Sequence, residues 1–341
     1  MNAKVKSAIQ YFFILVLTAA LLWFSLQGLQ TTDGQDKWSL LLQTWAGSNK
    51  FFLLLMAVVA LLSHWLRAAR WRLLLAPTGN HVKIWNSFHS VMIGYFVNLA
   101  ITRGGEISRS YNLYKLERTP IETSFGTVVA ERIVDLICMC LLLGVAFLVE
   151  WDNLIAFFQE LGIGAPSSGS FSIPIWFWVL MALGVVSLLV LYGLRKNEKL
   201  LRILGGFKKG LLAIISMEKK GAFIFYSIAI WILYFLMTYS VMLAFAQTAN
   251  LGLGSVLILF AIGSVAMALP MPGGLGSYHT LMPLGLVMIY HVPKTDATAF
   301  VFVFHAWQTI VMIVCGLISL MCTSIIVRRR SAESLSIESK V

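Results

Sequence analysis

Six stretches of the chain are apolar over the length of roughly 20 helical residues that crosses a bilayer core of about 30 Å: 8–27, 50–68, 122–149, 173–194, 222–247 and 297–327. Polar residues are largely confined to the segments between them. The pattern predicts six full transmembrane helices. Two further stretches, 84–101 and 253–290, are apolar but interrupted. The first ends in Arg103, Gly104, Gly105 and Glu106; the second is broken in its middle by Pro270, Met271, Pro272, Gly273, Gly274, Leu275 and Gly276. The run 8–27 follows Lys4 and Lys6 in the manner of a secretory leader. It is as long as a bilayer is thick and no small-residue cleavage motif follows, so it reads as the first span.

Charge placement orients the spans. The N-terminus and the segments 67–83, 103–118, 195–220 and 328–341 hold 22 of the 26 Lys and Arg residues, which marks them as the cytoplasmic side. Asp33, Asp36, Glu150, Asp152, Glu160 and Asp296 fall on the other side. Both termini are then cytoplasmic. The chain is inside at Lys83 and inside again at Arg118, so 84–118 must enter the membrane and return. It is outside near Asn250 and again near Lys294, so 253–290 must be a hairpin opening on the opposite face.

Each hairpin is flanked by two full spans, giving a first repeat at about 50–149 and a second at about 222–327 of opposite orientation. This is the pattern of an inverted-repeat transporter with broken helices. The expected fold is therefore an all-α polytopic membrane protein of about six spans and two oppositely oriented re-entrant hairpins, in one domain over 1–330 with a short cytoplasmic tail at 331–341. Two complete crossings at 84–101 and 253–269 are the alternative.

Composition agrees. Apolar residues make up 59% of the 341 residues and charged ones 12%, against about 25% charged in soluble domains, and the mean hydropathy is +0.82. A net charge of +11 raises the question of nucleic acid, but its placement beside apolar spans points to anionic lipid instead. No nucleotide-binding P-loop and no zinc-hydrolase or serine-hydrolase motif occurs, which disfavours an ATP-driven pump and the familiar hydrolases. Cys138, Cys140, Cys315 and Cys322 lie inside apolar runs and read as core thiols. The segment 195–220, with Leu200, Leu201, Leu204, Leu211, Leu212 and Ile215 among eight basic residues, fits either a basic amphipathic helix in the membrane interface or a plain cytoplasmic loop, and 162–170 reads as an external connection. Arg67, Arg70 and Arg72 read as topology anchors that could also collect lipid headgroups.

Arg103, Glu106 and Arg109 recur every three residues after the glycine break, so on a helix starting near Gly104 they share a face, with Glu106 placed to bridge two guanidiniums. Backbone N–H groups freed by the glycines, together with arginine forks, suit a phosphate; surface charges on a cytoplasmic turn are the plainer reading. Glu131, Arg132 and Asp135 lie about ten residues into a span, roughly 15 Å deep, where ionised side chains mark function by default or form a structural ion pair. Ser277 is placed to cap a half-helix over 278–290. His279 and His305 add titratable groups at depth, as ligand-site residues or as hydrogen-bonded core histidines.

Three motifs in order, Asn98 to Arg109 (NLAITRGGEISR), Val128 to Asp135 (VVAERIVD) and Pro270 to Gly276 (PMPGGLG), resemble the lysylphosphatidylglycerol synthase transmembrane-domain family, the flippase-like domain, over roughly 10–325. The resemblance implies a bacterial cytoplasmic-membrane protein related to the lipid-translocating half of aminoacyl-phosphatidylglycerol synthases. It places Arg103, Gly105, Glu106, Arg109, Glu131, Arg132, Asp135, Pro272, Gly273, Gly274 and Gly276 at motif positions, with Gly104 beside them. Many members carry a Glu where His279 stands and an Arg near His305, so headgroup or proton coupling is expected to differ. The chain ends at Val341 without room for a soluble aminoacyl-transferase domain, so lysyl transfer is not expected.

The expectation is a lipid translocator for an anionic phospholipid or polyprenyl phosphate, without a cofactor or metal and more transporter than enzyme. Arg103, Arg109 and Arg132 would receive the phosphate and the PGG hairpin would gate the far side. Its partners would be anionic membrane lipids and not nucleic acid, with a homo-oligomer or a lipid-modifying enzyme partner compatible. A membrane-embedded transferase and a scaffold for a lipid-modifying complex are the alternatives.

Overall fold

A computed structural model describes residues 36–152, 155, 198–269 and 271–338. The predicted spans at 8–27 and 173–194, the connection at 162–170 and Pro270 lie outside the described residues. Within them the chain is helical: α1 (Lys37–Gly47), α2 (Lys50–Leu75), α3 (Ile84–Asn98), α4 (Gly104–Glu117), α5 (Ile121–Val149), α6 (Glu198–Ser216), α7 (Lys220–Ala244), α8 (Leu253–Ala268), α9 (Ser277–Tyr290) and α10 (Lys294–Glu338). Four of these, running from Lys50, Ile121, Lys220 and Lys294, are long and apolar enough to cross a membrane.

The order long, short, break, short, long occurs twice, as α2–α5 and as α7–α10. The short helices have 14 to 16 residues, about 21–24 Å at 1.5 Å per residue, less than a bilayer core. In each pair they pack side by side, α3 on α4 and α8 on α9, so both interrupted stretches are helical hairpins, and α3 and α8 are shorter than the four helices long enough to cross a membrane.

The two hairpins meet tip to tip. Arg103 in the first break donates from Nη2 to the carbonyl oxygen of Ala268 in the second (3.0 Å), and a β-carbon on Gly273 would stand 3.2 Å from Cδ2 of Leu99. Around this contact the halves interlock: α2 lies along α7, α3 against α10, and α8 against α5. The largest apolar cluster joins Leu53 and Met56 of α2, Phe245 after α7, Leu259 of α8, Leu286 of α9 and Phe300 of α10. A second gathers Ala68, Trp71, Val91, Leu113 and Val128 of α2 to α5 beneath the charged residues.

Several boundaries depart from the sequence reading. The 50–68 span continues as helix to Leu75, which carries Arg67 and Arg70 into the fold; both are buried and are not topology anchors at a membrane edge, whereas Arg72 is exposed and donates from Nε to the Val82 carbonyl at 2.7 Å. The last helix runs to Glu338, past the start of the expected tail at 331. The helix Lys37–Gly47 was not expected; Asp36 caps it by accepting from Ser39 N at 3.3 Å. The cysteines are free, with Cys140 exposed and the others half-buried on helix surfaces rather than in a core, as thiols among lipid-facing apolar residues are. Residues 198–216 form a helix that lies against α5, so this stretch is no plain loop.

Candidate functional site

Seven ionised side chains from α2, α4 and α5 form one connected network. Asp135 is the hub: Arg67 Nη1 lies 2.7 Å from Oδ2, Arg70 Nη2 2.7 Å from Oδ1, and Arg132 Nη1 3.7 Å from Oδ2. Glu131 takes Arg70 Nε at 3.3 Å on one oxygen and Arg109 Nη2 at 2.7 Å on the other. At the outer end Arg132 Nη2 reaches Glu106 Oε1 at 3.1 Å. Four guanidiniums thus face three carboxylates, leaving one formal positive charge.

Helical spacing explains the assembly. Arg67 and Arg70 are i,i+3 on α2, Glu106 and Arg109 i,i+3 on α4, and Glu131 and Asp135 i,i+4 on α5, so each helix presents one charged face. The second half closes the network: Arg67 donates to Tyr234 Oη (3.0 Å) and Arg70 to Ser227 Oγ (3.1 Å), both on α7. Arg109 lies over the ring of Trp71, its guanidinium carbon 3.7 Å from the centroid, and Trp71 is fixed by donating to Thr127 Oγ1 at 2.8 Å. A buried ion survives only with partners of this kind.

Burial divides the seven. Arg70 and Glu131 side chains are 0% and 1% exposed, whereas Arg132 is 36% exposed. Beside Arg132 a small cleft open to the outside, with room for about one water molecule, is lined by Tyr95 and Asn98 of α3, Gly105, Glu106 and Arg109 of α4, and Arg132 of α5. Glu106 Oε2, Arg109 Nε and Arg132 Nε are buried there without a hydrogen-bond partner. The cleft exists because α3 and α4 cross at Gly94 and Gly105: a β-carbon on Gly105 would collide with the Gly94 carbonyl oxygen and the Asn98 side chain.

The predicted site residues separate into two groups. Glu106, Arg109, Glu131, Arg132 and Asp135 come together, with Gly105 at the cleft wall. Arg103, Gly104, Gly273, Gly274, Gly276, His279 and His305 belong to the hairpin tips or to the helices behind them; Pro272 starts the short 3-10 turn Pro272–Gly274. Glu106 does not bridge Arg103 and Arg109: it turns to Arg132, because Arg109 is taken by Glu131 and Arg103 by the second hairpin. Two of the N–H groups expected to be free for an anion are already bonded, Gly105 N to Asn98 Oδ1 (2.7 Å) and Gly104 N to the Ile101 carbonyl (3.0 Å). Ser277 is not a cap; it is the first residue of α9 and donates to the Ala266 carbonyl at 2.7 Å. Arg109, expected to receive phosphate, is enclosed between Glu131 and Trp71.

The sequence reading placed Arg67 and Arg70 at the membrane edge rather than in this network, and it missed Tyr234. The available signal was the i,i+3 arginine pair on an uninterrupted helical pattern. Among the described residues no group of three or more His, Cys, Asp or Glu side chains is placed to hold a metal ion.

Long apolar helices, two hairpins meeting tip to tip and a buried charge network beside a cleft define a polytopic α-helical membrane protein. The chain belongs to the family described as the lysylphosphatidylglycerol synthase TM region, whose model matches residues 11–316. It is also similar to the UPF0104 membrane protein MJ1595 of Methanocaldococcus jannaschii, with 31% identity over 105 residues covering 30% of each chain; the match thus spans under a third of that relative's length. No solved structure matches it.

Proposed function

We propose that this protein is a lipid translocator of the cytoplasmic membrane that moves an anionic phospholipid or a polyprenyl phosphate by its headgroup, the acyl tails remaining in lipid. The observation that carries the reading is the cleft between α3, α4 and α5, where Arg132 stays partly open and three polar atoms of Glu106, Arg109 and Arg132 lack partners. An entering phosphate would compete with Glu106 for Arg132, one charge-assisted contact replacing another. The deeper pairs stay closed and supply the one surplus positive charge. In this reading the first hairpin opens to the cytoplasm, the second to the outside, both termini are cytoplasmic, and the tips between them are the barrier the headgroup must pass. Lipid chemistry in the family's description is consistent with such a role.

A second reading has its own support. Arg67, Arg70 and Arg109 are enclosed and paired, as a purely structural lock in a scaffold would be. The open pair separates the two. Wild-type protein in liposomes should equilibrate fluorescently labelled phosphatidylglycerol or a labelled polyprenyl phosphate across the bilayer. Glu106→Gln and Arg132→Gln should slow this at least about tenfold while melting near wild type. Failure of the wild type to move either lipid under an imposed proton or sodium gradient would sink translocation; equal rates in the variants would move the site elsewhere.

A further inference from the structure

The second hairpin carries an ionisable pair that the charge network does not use. His279 on α9 and His305 on α10 stand with ring centroids 4.7 Å apart and planes at 90°. His305 is 4% exposed, and its Nε2 lies 3.2 Å from the carbonyl oxygen of Gly273, in the turn that touches the first hairpin. His279 Nδ1 is buried with no hydrogen-bond partner. Aromatic faces surround both rings: Phe302 is 4.4 Å from His279, and Tyr278 stacks on His305 at 5.4 Å and 19°.

We propose that His279 and His305 form a proton-binding site that controls the contact between the two hairpin tips. The inference goes beyond lipid movement and does not depend on it. An unpartnered ring nitrogen beside a second imidazole can take up a proton, and aromatic faces stabilise the resulting cation. The rings are close enough that one bound proton opposes a second, so the pair titrates as a unit. An imidazolium at His305 strengthens its bond to the Gly273 carbonyl, since a charged donor holds an acceptor more tightly, and draws the turn toward α10. That movement takes the turn away from Leu99 of the first hairpin, which it touches at Gly273, and parts the tips.

The groups that face the pair leave this balance in place. Tyr278 comes from α9 and Phe304 from α10. The tip brings the Gly273 carbonyl, while Arg103 of the first hairpin is bonded at the end of α8, to the Ala268 carbonyl. From α8, Met267 reaches the turn at Gly274, and from α1, Leu40 packs with Phe302. His89 of α3 meets α10 at Ser319, about 20 Å further along the helix.

The test uses the full chain with its four cysteines replaced and spin labels at Ile101 and Met271, which are exposed on the two tips, in phosphatidylglycerol nanodiscs. Distances are measured by pulsed electron paramagnetic resonance from about pH 8 down to about pH 3, well past the ordinary imidazole range. The wild-type distance should lengthen at the lower pH, and His279→Gln/His305→Gln should hold the high-pH distance throughout. A wild-type distance that does not change, or the same lengthening in the double variant, overturns the proposal. Should the double variant not fold, His279→Gln alone, which spares the His305–Gly273 bond, decides: its midpoint must move, and a wild-type midpoint overturns the site. Tips that part without lipid movement would leave the proton site standing and remove the translocator; lipid movement across tips at fixed distance does the reverse.

Discussion

At the scale of the residue, what matters is how much water each charge has given up. Arg70 spans Glu131 and Asp135 with no exposed surface. Its removal strands two buried carboxylates, and breaking a buried pair in this way costs about 3–5 kcal/mol. Arg70→Met should therefore lower the melting temperature in detergent by roughly 10 °C. Arg132 faces the cleft and is 36% exposed, so Arg132→Gln, whose amide can still donate to Glu106, should cost less than Arg70→Met and melt closer to wild type. If both variants melted alike, the division into a sealed and an open half of the network would be wrong. Gly105→Ala tests the wall of the cleft: the added methyl drives α3 from α4, an overpacking expected to cost about 1–3 kcal/mol, and the Asn98 contact to the Gly105 N–H should be lost with it.

Among the elements, α6 was legible only as a basic amphipathic stretch, and packing decides its place. Gly210 rests on the Thr123 carbonyl of α5, and Gly126 on the Phe207 carbonyl of α6, so the two backbones touch without side chains between them. Gly210→Leu should raise amide hydrogen exchange across Glu198–Ser216 while leaving α2 and α7 protected; unchanged exchange would mean that the glycine contact does not hold α6. The hairpins were legible for a different reason. A Gly-Gly or Pro-Gly-Gly interruption in an apolar run stops a helix wherever it is placed, and the alternation of basic and acidic segments then reads each interrupted stretch as entering and leaving by one face. The buried arginines of α2 were not, because Arg67 and Arg70 stand next to a segment rich in positive charge. Hydropathy gives an arginine the same weight whether it faces lipid headgroups or a carboxylate on α5. Glu131, Arg132 and Asp135 were visible as a group since nothing around them in sequence is polar, but their partners on α2 and α4 come from 22 to 68 residues away and no local pattern names them.

For the molecule as a whole, the tip-to-tip arrangement makes a prediction about sidedness. In a cysteine-free chain, His81→Cys and Lys115→Cys should react with an impermeant maleimide from one face of the membrane, and Asn250→Cys and Lys294→Cys from the other. Two conventional crossings would instead split each pair between faces.

The interlocking of the halves also bears on how the protein is made. α3 rests on α10, with His89 hydrogen-bonded near Ser319, and the charges of α2 are completed by Ser227 and Tyr234 of α7. About 200 residues separate α3 from its partner, so at roughly 5–20 residues per second a ribosome takes some 10–40 seconds to supply it. Until α7 is made, partway through that interval, α2 to α5 hold arginines that await their last acceptors. The insertion machinery, or a chaperone of the membrane, must shelter a half-built protein whose polar interior has no lid.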